Sequence, residues 1–206
     1  MDRFKNILVA ANPGHLEPMT MRAAVKLAET NSARLTVIDV MEPMSRMRRH
    51  TTVEGRVVDI QAELIGHREQ RLRQLAANTR AGDGIEVKVL VGEPFVEVVR
   101  HVLADGNDLV IVGGSEVARW ATPEFSSAEM HLLRKCPVPL WVMRPSRPGQ
   151  LRILALVDPD AADPVRDSLN DLVLELATSL ARREGGELHI GHAWKLTGEA
   201  TLRSSP

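Results

Sequence analysis

The sequence has very few cysteine and aromatic residues. Its 206 residues include one Cys, three Trp, three Phe and no Tyr. One cysteine excludes a disulfide framework and a cysteine-rich zinc site, and it suits a reducing compartment. The shortage of aromatic side chains disfavours a surface on which nucleic-acid bases stack. We therefore expect a cytoplasmic protein that makes no direct contact with nucleic acid.

The sequence also lacks an excess of charge of either sign and long apolar runs. Lys and Arg number 26 against 27 Asp and Glu, so no strong positive field would attract nucleic acid or an anionic membrane. No run of 18 apolar residues occurs, and we expect no membrane-spanning helix. H-E-x-x-H, G-x-S-x-G and P-loop motifs are all missing. The sequence thus predicts no metal site and no catalytic residue, and Cys136 is expected to be a buried apolar residue.

Short apolar runs alternate with segments of helical periodicity through the first 145 residues. The runs predict strands at 7–11, 35–40, 85–90, 108–112 and 140–143. The periodic segments predict helices at 19–29, 57–76, 95–102 and 128–135, whereas the polar, basic stretch 42–54 is predicted to be an exposed loop. Because parallel neighbours need a crossover connection, this alternation predicts a doubly wound, Rossmann-like α/β domain with a five-stranded parallel sheet.

A shorter second copy of the same pattern follows a proline-rich linker. Residues 153–157 repeat the pattern of 7–11 at an offset of 146, and 187–192 match 34–39. We therefore predict a domain at 1–145, a linker at 146–150 and the truncated start of a second domain at 151–206. Chance similarity between buried strands is the alternative interpretation.

Several motifs have the order and spacing of a known family. They are the apolar first strand, the Val-x-x-Gly-x-Pro turn at 89–94, the Asp-Leu-Val-Ile-Val strand with its glycine turn at 108–115, and Pro-Val-Pro at 137–139. Over about residues 4–145 the chain resembles the universal stress protein family, and the run 131–141 is similar to the first half of its tandem-domain members. The resemblance implies an adenine nucleotide alpha hydrolase-like fold and a cytoplasmic, non-catalytic role in the stress response.

The family's nucleotide loop has the pattern Gly, two residues, Gly, nine residues, Gly and Ser or Thr. Gly114 matches the first glycine, but Val117 stands at the second, where a Cβ disfavours positive φ. The resemblance implies these candidate nucleotide-binding residues: Asn12, Val40, Gly113, Gly114, Ser115, Ser126 and Ser127. Asn12 replaces the family's aspartate. We therefore expect a degenerate loop and no cofactor beyond weak ATP binding, with a simple turn or another ligand in the same crevice as alternatives.

The last strand of the first domain is the other functional candidate. In the family this strand pairs antiparallel with its copy in a second domain. Its apolar residues here are Val138, Leu140, Trp141, Val142 and Met143. Because an apolar edge strand invites association unless it is paired, we expect a homodimer through this strand. A binding or scaffold role is the leading hypothesis, and an ATP-binding protein with weak or slow hydrolysis is the alternative.

Overall fold

The computed structural model describes residues 3–11, 16–53, 56–79, 84–113, 127–144, 151–159 and 163–193. The chain forms two compact units, Met1–Pro145 and Ser146–Pro206. Among the described residues, no helix combines the length and the apolar character that crossing a lipid bilayer requires.

Strands and helices alternate through the first unit. In chain order its elements are β1 (Asn6–Ala10), α1 (Pro18–Asn31), β2 (Arg34–Met41), α2 (Arg46–Arg49), β3 (His50–Val53), β4 (Arg56–Asp59), α3 (Ile60–Ala77), β5 (Ile85–Val91), α4 (Pro94–Asp105), β6 (Leu109–Gly113), α5 (Ser127–Lys135) and β7 (Leu140–Met143).

Five of these strands form one parallel sheet in the order β5-β2-β1-β6-β7. The predicted doubly wound five-stranded sheet is therefore confirmed. The chain first winds outward from β1 through β2 to β5 and then returns to the other side of β1 with β6. In an open sheet of this kind, a crevice forms at the carboxyl ends of the strands where the winding reverses, here between β1 and β6.

Side chains of the central strands alternate between two apolar layers. Ile7 and Val9 lie in a core layer with residues of α1 and α3. Leu8 and Ala10 lie in the opposite layer, which residues of α4 and α5 cover. Covering on both faces explains why the strands are continuous apolar runs rather than alternating ones.

The segment between β2 and α3 differs from the sequence prediction. The predicted loop at 42–54 contains α2 and β3, and β3 pairs antiparallel with β4. Residues 57–59, predicted to be helical, therefore belong to a strand. Asp59 causes the change, because its carboxylate accepts a hydrogen bond from the backbone N–H of Ala62 and so caps α3. Val57, which the helical pattern had counted as a buried position, is 74% exposed.

The described residues of the second unit form a strand–helix–strand motif. Its elements are β8 (Arg152–Leu156), α6 (Pro164–Glu184) and β9 (Glu187–Gly191), and the two strands pair in parallel. Ala155 is buried, whereas Leu154 and Leu156 are 62% and 65% exposed. At the offset of 146 these two leucines correspond to Leu8 and Ala10, which helices cover in the first unit.

Candidate functional site at the carboxyl edge of the sheet

The structure describes three of the seven predicted nucleotide-binding residues. Val40, Gly113 and Ser127 are described, each at or near the carboxyl edge of the sheet or at the helix that follows it. The other four, and Val117 with them, lie outside the described residues: Asn12, Gly114, Ser115 and Ser126.

Gly113 ends β6 next to the end of β1. Val112 pairs with Ala10, so the two strands reach the reversal point side by side. A Cβ on Gly113 would lie 3.2 Å from Oγ1 of Thr20, a buried residue in the first turn of α1. The glycine thus lets Thr20 of α1 lie close to the end of β6, and a Cβ there would require the Thr20 side chain to move by a few tenths of an ångström.

Val40 lies in the apolar core rather than at the crevice surface. Its side chain is buried in the layer that also contains Leu8, Ile38 and Val98. The backbone of Val40 pairs with Leu90 of β5. Its side chain therefore packs the sheet against α4, and its role in nucleotide binding stays a prediction.

The N-terminus of α5 carries an acidic side chain that sequence reasoning missed. Ser127 begins the helix and is exposed, whereas Glu129 in the first turn is only 2% exposed. The partial positive charge of a helix N-terminus attracts anions, and in nucleotide-binding folds it often meets a phosphate. Here a carboxylate of the chain itself is buried beside that charge.

Asp39 of β2 is a second acidic residue that the sequence analysis did not select. Its carboxylate accepts hydrogen bonds of 3.3 and 3.2 Å from Nη1 of Arg68 on α3. The Asp39 side chain is 2% exposed and the Arg68 side chain 26%. The two residues are 29 positions apart, and an aspartate within an otherwise apolar strand is the signal that could have identified the pair.

The outer edge of β7 has no strand partner in the part of the chain that the structure describes. The N–H of Val110 donates to the carbonyl of Pro139 at 3.0 Å, and Val110 is the register partner of Leu140. In a parallel ladder, successive residues of a strand direct their backbone groups to opposite sides. With this register, the N–H and C=O groups of Leu140 and Val142 point away from β6.

The side chains of β7 are divided between the two core layers. Trp141 and Met143 pack against the layer of α1 and α3. Val138, Leu140 and Val142 pack against the layer of α4 and α5. All five are half-buried. The predicted edge residues thus fix the strand to the first unit.

A polar cluster joins α4 to β5 away from the crevice. His101 is buried, with Nε2 3.2 Å from Asp105 and Nδ1 3.2 Å from the side-chain oxygen of Asn107. The charge of His101 and a hydrogen bond from Lys88 lower the pKa of the Asp105 carboxyl. Hydrogen bonds to Glu86 and Asp105 raise the pKa of Lys88. These groups satisfy one another, so we assign the cluster a structural role.

Cys136 follows α5 directly and is half-buried. Its backbone N–H donates to the carbonyl of Leu132 at 2.8 Å. Burial raises the pKa of the Cys136 thiol. Because the thiolate is the nucleophilic form, this environment makes the cysteine less reactive.

The sequence matches known proteins over nearly its whole length. The family model described as the universal stress protein family matches residues 3–144. Universal stress protein E of Salmonella typhi is 26% identical over 202 residues, a match that covers 96% of this chain and 64% of the relative. Universal stress protein E of Escherichia coli K12 is 24% identical over 201 residues, with the same coverage. The chain therefore spans slightly less than two thirds of the length of these relatives.

Solved structures show the same fold. A functionally unknown protein of Pseudomonas aeruginosa PAO1 superposes with a TM-score of 0.64 at 21% identity, covering 98% of this chain and 66% of that protein. The universal stress protein UspA of Lactobacillus plantarum gives 0.52 at 18% identity, covering 69% and 99%. A universal stress protein in complex with cAMP gives 0.50 at 17% identity, covering 68% and 96%. At these identities the likeness supports the fold alone.

Proposed function

The chain belongs to the universal stress protein family, and on that premise we propose that it is a non-catalytic module of the stress response that binds through the outer edge of β7. The observation that carries this proposal is the unpaired backbone of Leu140 and Val142 among the described residues. Four half-buried apolar side chains hold the strand in place, so the edge is a rigid template for another strand.

A second copy of this chain is the proposed first partner. Two copies of β7 related by a twofold axis would run antiparallel. Each copy would present the outward backbone groups of Leu140 and Val142 to the other. Only Leu140 and Val142 of this four-residue strand direct their backbone groups outward, which limits the pairing to a short stretch. The contact would be short, so we expect micromolar rather than nanomolar affinity.

Light scattering over about 1–100 µM protein tests this proposal, since a micromolar dissociation constant corresponds to about 8 kcal/mol. We expect the mass to rise from monomer to dimer within that range. A monomer mass that persists to the highest concentration would refute pairing through β7.

We also propose that the crevice between β1 and β6 does not bind a nucleotide tightly. Buried Glu129 supports this view, because an acidic residue of the chain already belongs to the first turn of α5, where a helix would stabilise a phosphate. The sequence supplies a separate argument against tight nucleotide binding, because Val117 stands at a glycine position of the family's nucleotide loop. In keeping with the single cysteine, we propose that the protein acts in the cytoplasm.

Nucleotide binding is the second candidate function, because a solved universal stress protein of the same fold is in complex with cAMP. A thermal-shift titration with millimolar ATP and Mg²⁺, and separately with cAMP, separates the two candidates. A ligand present at a hundred times its dissociation constant adds about 2.7 kcal/mol to the stability. We expect no such shift. A saturable shift with ATP or cAMP would favour the nucleotide-binding alternative.

A further inference from the structure

Residues 46–59 form a basic arm that is not part of the main sheet. The arm contains α2, β3 and β4, and the hairpin of β3 and β4 joins no third strand among the described residues. Its sequence has four arginines against two acidic residues, Glu54 and Asp59, whereas the whole chain has a net charge of −1. The arm is therefore a local concentration of positive charge on a nearly neutral chain.

Only one arginine of the arm has its charge balanced. Arg49 donates hydrogen bonds of 3.0 and 2.9 Å from Nε and Nη2 to Oδ2 of Asp59. Arg46, Arg48 and Arg56 are exposed, and in the described part of the chain their side chains form no ion pair and no hydrogen bond. A guanidinium group binds a carboxylate through two parallel hydrogen bonds, so these three side chains suit an acidic partner.

An exposed apolar side chain lies among these charges. Met47 of α2 is 95% exposed, and no residue of α2 is buried. The side chain of methionine is flexible and polarizable, and it is common at surfaces that bind partners. Met47 thus adds an apolar contact to the charge of the arginines beside it.

Both ends of the arm are tied to α3. The backbone N–H of Met44, just before the arm, donates to Oε1 of the buried Gln61 at 2.9 Å. At the other end, Asp59 caps α3 by accepting a hydrogen bond of 3.2 Å from the N–H of Ala62. Because these bonds hold the backbone of the arm before any partner arrives, little of its conformational freedom is lost on binding.

We propose that the arm binds an extended acidic segment of a partner protein, with carboxylates on Arg46, Arg48 and Arg56 and an apolar side chain on Met47. Each strand of the hairpin has four residues, which corresponds to about 13 Å. Helix α2 precedes one end of this length, and Arg56 lies at the other, where it pairs with Val53 beside the turn. An extended peptide covers that length with about four residues, so one acidic segment can reach both ends.

Two other classes of partner fit the arm less well. The arm has no Phe, Tyr or Trp on which a nucleic-acid base could stack. On an anionic membrane, one methionine and a few arginines give only weak, reversible attachment. The arm is distinct from the β7 strand, so the proposal does not depend on the function proposed above.

A labelled peptide of glutamate residues around a central leucine is a suitable probe. In fluorescence anisotropy at near-physiological salt, we expect the peptide to bind saturably. A matched peptide with glutamine in place of glutamate should bind at least about tenfold more weakly, a difference of about 1.4 kcal/mol. Equal binding of the two peptides, or no binding of the acidic one, would overturn the proposal.

Substitutions assign the binding to the arm. The triple variant Arg46→Ser, Arg48→Ser, Arg56→Ser should weaken binding of the acidic peptide about fivefold or more, because three exposed ion pairs are lost. The matched control removes the same charge from exposed arginines outside the arm and should bind within about twofold of the parent chain: Arg134→Ser, Arg152→Ser and Arg182→Ser. Equal losses in the two triple variants would refute the assignment, because they would show a response to net charge alone.

Met47→Ser tests the apolar contact. It should weaken binding of the leucine-containing peptide about threefold and leave binding of an all-glutamate peptide unchanged. Leu103→Ser is the matched control, since Leu103 lies on α4 and is 69% exposed, and it should change neither. An equal loss with both peptides in Met47→Ser would refute a contact between Met47 and the leucine.

Vesicles, DNA and the chain itself are the other occupants to test. We expect vesicles of phosphatidylserine and phosphatidylcholine in equal parts, and duplex DNA, to bind more weakly than the acidic peptide. Tighter binding of either one would overturn the choice of a protein partner. Loss of self-association in the triple variant of the arm would instead identify a second copy of the chain as the occupant.

Discussion

Replacing Val142 by proline tests the outer edge of β7 at a single backbone group. The register with β6 directs the N–H of Val142 away from the sheet, so proline removes a donor that pairs with no described strand. In the proposed dimer that donor faces the partner strand. We therefore expect Val142→Pro to weaken the dimer while the monomer keeps its fold.

The size of the effect follows from the twofold symmetry. Each copy loses one hydrogen bond across the interface, so the dimer loses two. A hydrogen bond contributes about 0.5–1.5 kcal/mol net, which gives a loss of about 1–3 kcal/mol and a dissociation constant raised about 5- to 150-fold. The proline ring also projects toward the partner strand, so this range is a lower bound.

Sedimentation velocity over a concentration series gives the dissociation constant of each variant. Val142→Ala is the control, because it shortens the side chain in the core layer but keeps the N–H. The alanine variant should dimerise within about threefold of the parent chain, a difference of about 0.7 kcal/mol. Equal dimerisation of the proline variant and the parent chain would show that this edge is not the interface, and equal weakening by alanine would show that the side chain matters instead.

Three further predictions concern stability and reactivity. Leu8→Ala should lower the free energy of unfolding in urea by about 2–5 kcal/mol, whereas Leu154→Ala at the matching exposed position should change it by less than about 0.5 kcal/mol. Similar losses of stability in the two variants would refute the different burial of the two strands. The pKa of Asp105 is lowered in the folded state, so its contribution to stability is present at neutral pH and is lost as the pH falls through that lowered value. Asp105→Asn should therefore make the stability fall less steeply on the acid side of a stability–pH curve, its acid limb. An unchanged acid limb would show that the ionised carboxylate does not stabilise the fold. Cys136 should react with a disulfide reagent more slowly at pH 8 in the native chain than in urea, since burial raises its pKa; a faster native reaction would indicate an activated thiol.

The parallel sheet could be predicted because its strands are covered on both faces. That burial makes β1 and β6 continuous apolar runs, and their spacing leaves room for a crossover helix between neighbours. The β3–β4 hairpin could not be predicted in the same way. Its exposed Val57 lies at helical spacing from Ile60, and only the capping bond from Asp59 shows that the helix begins later.

The site was less predictable than the fold, because its charged groups meet through tertiary structure. Asp39 and Arg68 come from a strand and a helix that are 29 residues apart, and neither has a motif around it. The burial of Glu129 likewise depends on how α5 packs rather than on its sequence neighbours. The strand at 140–143 was easier to identify, since it is a short apolar run after Pro139, and the family resemblance placed it at an edge, where the sheet order has it.

Hydrogen exchange at β7 tests the central claim most directly. The amides of Leu140 and Val142 face outward in the monomer, whereas those of Trp141 and Met143 face β6. Between about 1 and 100 µM protein, we expect exchange at the two outward amides to slow as the dimer forms, because a bonded amide is protected. The two inward amides should stay protected throughout. Exchange at Leu140 and Val142 that does not depend on protein concentration would contradict self-association through this strand.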